Sequence, residues 1–158
     1  METAALIVAM TALGHPHATA ADLVRERILA AIIIDEAAKN RLSPVLVAAV
    51  IARESMFNPK AIGAKGERGL MQLLPRGSAL AHYKHLAPAA LESPRINLAI
   101  GALHMAHVRD LCGGAPIEWL SVYNGHSKCR WSRYSRAVVY AWVRAEHIEA
   151  RTKWASSE

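Results

Sequence analysis

Glu54-Ser55-Met56-Phe57-Asn58-Pro59, followed through a glycine-punctuated loop to Gly69-Leu70-Met71-Gln72, is the stretch on which the fold is read. A carboxylate ends an apolar helix, and Asn58-Pro59 breaks the chain directly after it. Gly63, Gly66 and Gly69 then mark a flexible loop, which leads into the apolar run Leu70–Leu74 closed by Pro75. An acid on a rigid core helix, faced by such a loop, is how a buried proton donor is built.

The helix before it is equally legible. Ser43-Pro44 reads as a capping serine with proline at the first helical position. Val45-Leu46-Val47-Ala48-Ala49-Val50-Ile51-Ala52 is apolar on every face, so this helix is expected to cross the core. Glu54 at its far end meets desolvation and the negative end of the helix dipole. Both raise its pKa, as a general acid near neutral pH requires. The plainer alternative is an exposed glutamate fraying into the Asn58-Pro59 turn or paired with Arg53.

Outward from this centre the chain is a string of helices. Leu23, Ile28, Leu29, Ile32 and Ile33 recur at helical spacing between Asp22 and about Lys39. Ser93-Pro94 opens another helix, and residues 115–123 a shorter one. With 158 residues, 53% hydrophobic and rich in alanine and leucine, the chain fits a single, mainly all-α domain over 21–150, with a basic and polar tail at 151–158.

The first 20 residues resemble an export signal: Ala4–Leu13 is a short apolar core and Ala18-Thr19-Ala20 fits a small-x-small cleavage pattern. The first residues carry Glu2 and no Lys or Arg, so a frayed arm or an apolar first helix is the other reading. The run is too short for a transmembrane span, which needs about 20 apolar residues. Cys112 and Cys129 allow one intrachain bridge in an oxidising compartment, or stand as two thiols.

A net charge of +6 points to an anionic partner. No nucleic-acid motif or basic stripe interleaved with aromatics accompanies it, so nucleic acid is not expected. His104 and His107, like His82 and His85, stand i, i+3 but without the Cys or carboxylate spacing of a known zinc site, so no metal and no cofactor is expected. Ser55 lacks a nucleophile elbow, and the glycines lack a Lys-Ser/Thr phosphate-loop ending.

The pattern Glu54-Ser-x-Phe-Asn-Pro-x-Ala-x-Gly-x-x-Gly-x-x-Gly-Leu-Met-Gln-Leu-x-Pro75 resembles the signature of the soluble (Slt-type) lytic transglycosylases, with no gap. Asn97-x-x-x-Gly101, Tyr123-Asn124-Gly125 and Tyr134-x-x-x-Val138 continue the likeness, which covers about residues 40–145. His126 stands where that family commonly has a small residue. The resemblance implies a lysozyme-like helical fold related to goose-type lysozyme, and cleavage of peptidoglycan between N-acetylmuramic acid and N-acetylglucosamine with closure of a 1,6-anhydro ring.

By that resemblance Glu54 is the sole catalytic acid/base, and Ser55, Met71, Gln72, Tyr123, Asn124 and Tyr134 line the substrate site. Tyr123 and Tyr134 are expected to donate to Glu54 or to the sugar ring oxygen, and Ser55 to support the carboxylate or the loop. Glu67 is read as solvated. The alternatives are a hydrolytic muramidase on the same fold, or a wall-binding component of a secretion, conjugation or phage apparatus. Localisation is expected to be periplasmic or secreted, or phage-associated.

Overall fold

The computed structural model describes residues 3–15 and 19–155. Its elements are α1 (Thr3–Ala12), α2 (Ala20–Lys39), α3 (Pro44–Ser55), α4 (Pro94–Cys112), α5 (Pro116–Tyr123) and α6 (Arg133–Ala155), with 3-10 turns at Ser78–Leu80 and Pro88–Glu92. No strand forms among the described residues. Two isolated antiparallel bridges, Ile62 with Arg68 and Arg68 with Leu73, give the glycine loop its only sheet-like pairing there. The mainly all-α expectation holds.

α3 is the axis. Every residue from Val45 to Ala52 is buried, as an all-round apolar helix requires. Ser43 caps it by accepting from the Leu46 N–H at 3.2 Å, and its hydroxyl also donates to Glu146 Oε1 on α6 at 3.3 Å. One side chain thus starts α3 and ties it to the last helix. At the other end the chain turns earlier than Asn58-Pro59 suggests. Met56 and Phe57 take left-handed conformations in succession (φ 49° and 61°), an unfavourable backbone for non-glycine residues. Burial of the Phe57 ring offsets that cost.

α1 packs against α6, α2 and α3. Leu6, Ala9 and Met10 on it are fully buried, so the apolar segment forms a helix packed into the core. The expected cleavage pattern at 18–20 falls partly on residues 16–18, outside the described residues. At the other end, α6 runs through to Ala155, so residues 151–155 continue a helix where composition suggested a tail. Ser93 sits at the cap of α4, but its side chain makes no capping bond; its carbonyl accepts from Asn97 N–H at 2.9 Å. No helix among the described residues is long and apolar enough to cross a membrane.

The cysteines are joined. Cys112–Cys129, with Cα atoms 5.6 Å apart, ties the end of α4 to the loop between α5 and α6.

Candidate active site

Glu54 lies one residue from the end of α3, half-buried in a cleft of about 380 Å³ whose opposite wall is the glycine loop. Desolvation raises its pKa above the ordinary carboxylate range, and the nearby negative charge of Glu67 adds to the rise. The Tyr134 hydroxyl, which donates to Glu54 Oε1, and the Arg53 guanidinium pull the other way without cancelling burial. The tyrosine itself is pushed up, first by burial and then by the Glu54 charge, so it keeps its proton and remains a donor.

Tyr123 is placed differently from the expectation that it serves the carboxylate. Its hydroxyl donates to the Met71 carbonyl at 3.0 Å, bridging α5 to the loop. Burial, and then the Glu54 charge, raises its pKa, so this phenol also stays protonated. Ser55 is not brought into the cleft: its hydroxyl donates to the Ile51 carbonyl one helical turn back, at 3.2 Å. The expected support for the carboxylate or loop is absent because a serine four residues on has that carbonyl within reach.

Met71 and Gln72 both line the cleft, but their backbone and amide donors work for the loop. Met71 N–H donates to Asn97 Oδ1 at 2.8 Å. Gln72 Nε2 donates to the carbonyls of Ala61 and Gly69, at 3.2 and 3.0 Å, and holds Gln72 at a positive φ of 46°. What Gln72 can present to a ligand is therefore its Oε1. Asn124, exposed at the end of α5, lines this cleft and also a second, adjoining groove.

The loop is pinned rather than flexible. Gly63 N–H bonds Glu67 carbonyl, Gly69 N–H bonds Ala61 carbonyl, and Arg68 and Leu73 exchange both backbone bonds, all at 2.9–3.0 Å. Arg68 Nη1 pairs with Glu92 at 2.9 Å. Asn97, buried on α4, gives its Nδ2 to the carbonyls of Arg68 (2.9 Å) and Leu91 (2.8 Å) while its Oδ1 takes Met71 N–H. One amide therefore makes three bonds that seat the loop.

The fit around that seat explains two glycines. A Cβ on Gly69 would stand 2.2 Å from the Leu91 carbonyl and 2.4 Å from Asn97 Nδ2; one on Gly101 would stand 2.3 Å from Met71 Sδ. The spacing Asn97-x-x-x-Gly101 puts the amide and the gap on one face of α4, so sequence held the signal without revealing its partner.

Two further residues line the cleft that the sequence reading left outside the substrate site. His104, one turn beyond Gly101, lies with its ring 5.5 Å from that of Tyr123; burial, and then His107, lowers its pKa, so it is neutral near pH 7. Glu67, expected to be solvated, is partly exposed and lines the cleft with Glu54, accepting from Lys65 N–H at 2.9 Å. The Gly63–Glu67 backbone bond sets it on the wall of the cleft. Among the described residues, no group of three or more His, Cys, Asp or Glu side chains is arranged to hold a metal.

The site therefore holds one carboxyl group whose affinity for a proton is raised by burial, steadied by a phenol, inside a cleft of about 380 Å³. A transglycosylase of Enterobacteria phage PRD1 is 30% identical over 100 residues, covering 63% of this chain and 36% of that relative; the chain thus spans about a third of its length. Residues 31–139, which hold α3, the pinned loop, α4, α5 and Tyr134, match the family described as the transglycosylase SLT domain, and the chain belongs to that family.

Proposed function

We propose that this chain is a lytic transglycosylase that cleaves the β-1,4 bond between N-acetylmuramic acid and N-acetylglucosamine in peptidoglycan, with Glu54 as sole acid/base. The raised pKa of Glu54 inside the cleft carries the reading. Protonated Glu54 gives its proton to the glycosidic oxygen, and the N-acetylglucosamine chain leaves with it. Positive charge develops at C1 of the muramic residue, and the substrate's acetamido group shares it. The Glu54 carboxylate then takes the proton of the C6 hydroxyl as that oxygen bonds C1, which closes the 1,6-anhydro ring and restores the acid. No water enters the balance.

Tyr134 holds the carboxylate in place for both transfers. Asn124 and Gln72 Oε1 offer polar atoms to the sugar's amide and hydroxyls. The net positive charge favours an anionic wall polymer. The phage relative and the disulfide suit a phage-associated or periplasmic setting, with a secretion, conjugation or phage assembly as partner.

A hydrolytic muramidase is the second reading, and Glu67 in the same cleft favours it, since a second carboxylate can activate water. Mass spectrometry of digested peptidoglycan separates the two. Fragments lighter than a muramidase's by one water, absent with Glu54→Gln, support the transglycosylase. Reducing-end fragments, lost with Glu67→Gln, support the muramidase.

A further inference from the structure

Next to the cleft, sharing Asn124 with it, lies a second groove of about 740 Å³. Arg53, Arg130 and Arg133 line it, with Trp131, His126 and Asn124, and no lining residue is acidic. Among the described residues, Arg25, Arg68 and Arg109 each pair with a carboxylate, whereas none of the three groove guanidiniums does. Arg53 also feels the Glu54 carboxylate, but Arg130 and Arg133 add positive charge to the groove that no ion pair offsets, and such a lining favours an anion. Guanidinium forks favour planar carboxylates, which they bind by paired hydrogen bonds.

The groove is built rather than casual. The Cys112–Cys129 bridge fixes its wall one residue before Arg130, and Ser121 Oγ accepts from Arg130 N–H at 3.3 Å and donates to the Lys128 carbonyl at 2.9 Å. Trp131 is 63% exposed, and the Arg136 guanidinium stands over its ring 5.8 Å from the centre, so an aromatic side chain and a further cation border the groove. Asn124 lines both grooves, and Tyr134, which lines the second, bonds Glu54 in the first, so the two grooves adjoin.

We infer that this second groove is a recognition site for the carboxylate-bearing peptide stems of the glycan strand, with Arg130 and Arg133 as its specificity-determining residues. The inference rests on the transglycosylase reading for its substrate, and it makes peptide-bearing strands the preferred ones over bare glycan.

The test compares strands that carry their peptides with the same strands stripped by an amidase. Binding is measured in the Glu54→Gln background by sedimentation, and cleavage with Glu54 intact. Peptide-bearing strands are expected to bind and to be cleaved at least tenfold better, the latter through KM. Arg130→Glu with Arg133→Glu, both at exposed positions, is expected to bring that ratio close to one. Arg144→Glu with Arg151→Glu, the same charge change outside the groove, is expected to leave the ratio standing.

Equal binding of both strands by Glu54→Gln overturns the inference, as does a ratio that survives the Arg130/Arg133 change or falls equally with the Arg144/Arg151 change. Cleavage of both strands without preference leaves the transglycosylase reading intact while this one fails. Peptide-dependent binding without any cleavage by the chain with Glu54 intact does the reverse.

Discussion

The Tyr134 hydroxyl donates to Glu54 Oε1 across eighty positions of sequence, joining the last helix to the end of the core helix. This contact and the Glu67 charge act on the same carboxylate in opposite directions. The pair makes the acid's ionisation separable by mutation. Tyr134→Phe removes an influence that lowers the Glu54 pKa, so the alkaline limb of kcat/KM is expected to move to higher pH. Glu67→Gln removes one that raises it, so the limb is expected to move to lower pH. Limbs moving the same way in both variants would contradict the arrangement. Tyr134→Phe also loses positioning, at about 1.5–3 kcal/mol for a bond to a charged group, or roughly ten- to a hundredfold in rate.

Glu54→Gln is expected to lower cleavage by at least ~10²-fold, the usual worth of a positioned acid, yet to stabilise the fold. The folded-state pKa of Glu54 lies above its unfolded value of about 4.3. The folded chain therefore binds the proton more tightly, and stability falls as pH rises through that window. The variant lacks this loss. Its Tm is expected to exceed that of the unmodified chain near neutral pH, with the gap closing in acid below both pKa values. A lower Tm at neutral pH would argue against a desolvated carboxylate.

Asn97→Leu leaves the Arg68 and Leu91 carbonyls and the Met71 N–H without their buried partner. A loss of about 2–4 kcal/mol is expected in denaturant unfolding, at ~1–3 kcal/mol per orphaned group with partial relaxation. Gly69→Ala is expected to be at least as damaging, because its φ of +75° and the Leu91 carbonyl both reject a Cβ. Wild-type stability in either variant would refute the seat assigned to α4.

Reduction of Cys112–Cys129, or the double change to alanine, opens a loop spanning 17 residues. About 3 kcal/mol of stability is expected to go with it, read as a lower urea midpoint. KM is expected to rise more than kcat falls, because the freed segment carries Arg130 and Trp131, while Glu54 stays on α3.

Leu6→Ala on α1 is expected to cost about 2–5 kcal/mol, the range for truncating a fully buried leucine. An unchanged midpoint would show that α1 adds nothing to the core.

α3 was legible in the sequence because its determinants are local: a serine and proline to start it, eight apolar residues to bury it, and a carboxylate where no core needs one. The helical class and the spacing from Glu54 to Pro75 follow from the same short-range patterns. Only the tertiary structure decided the partners. Tyr123, expected to donate to Glu54 or to the sugar ring oxygen, lines the cleft with Glu54 but donates to the Met71 carbonyl; Ser55 turned to its own helix; Glu67 lined the cleft; Asn97 became the loop's anchor. Each outcome depends on which residue far away in the chain supplies a donor or an acceptor at hydrogen-bond range, and periodicity along the chain holds no such distance. The Glu54 pKa divides the same way. The sequence put a carboxylate at the end of an apolar helix, but the balance of burial, Tyr134, Arg53 and Glu67 around it is set by packing.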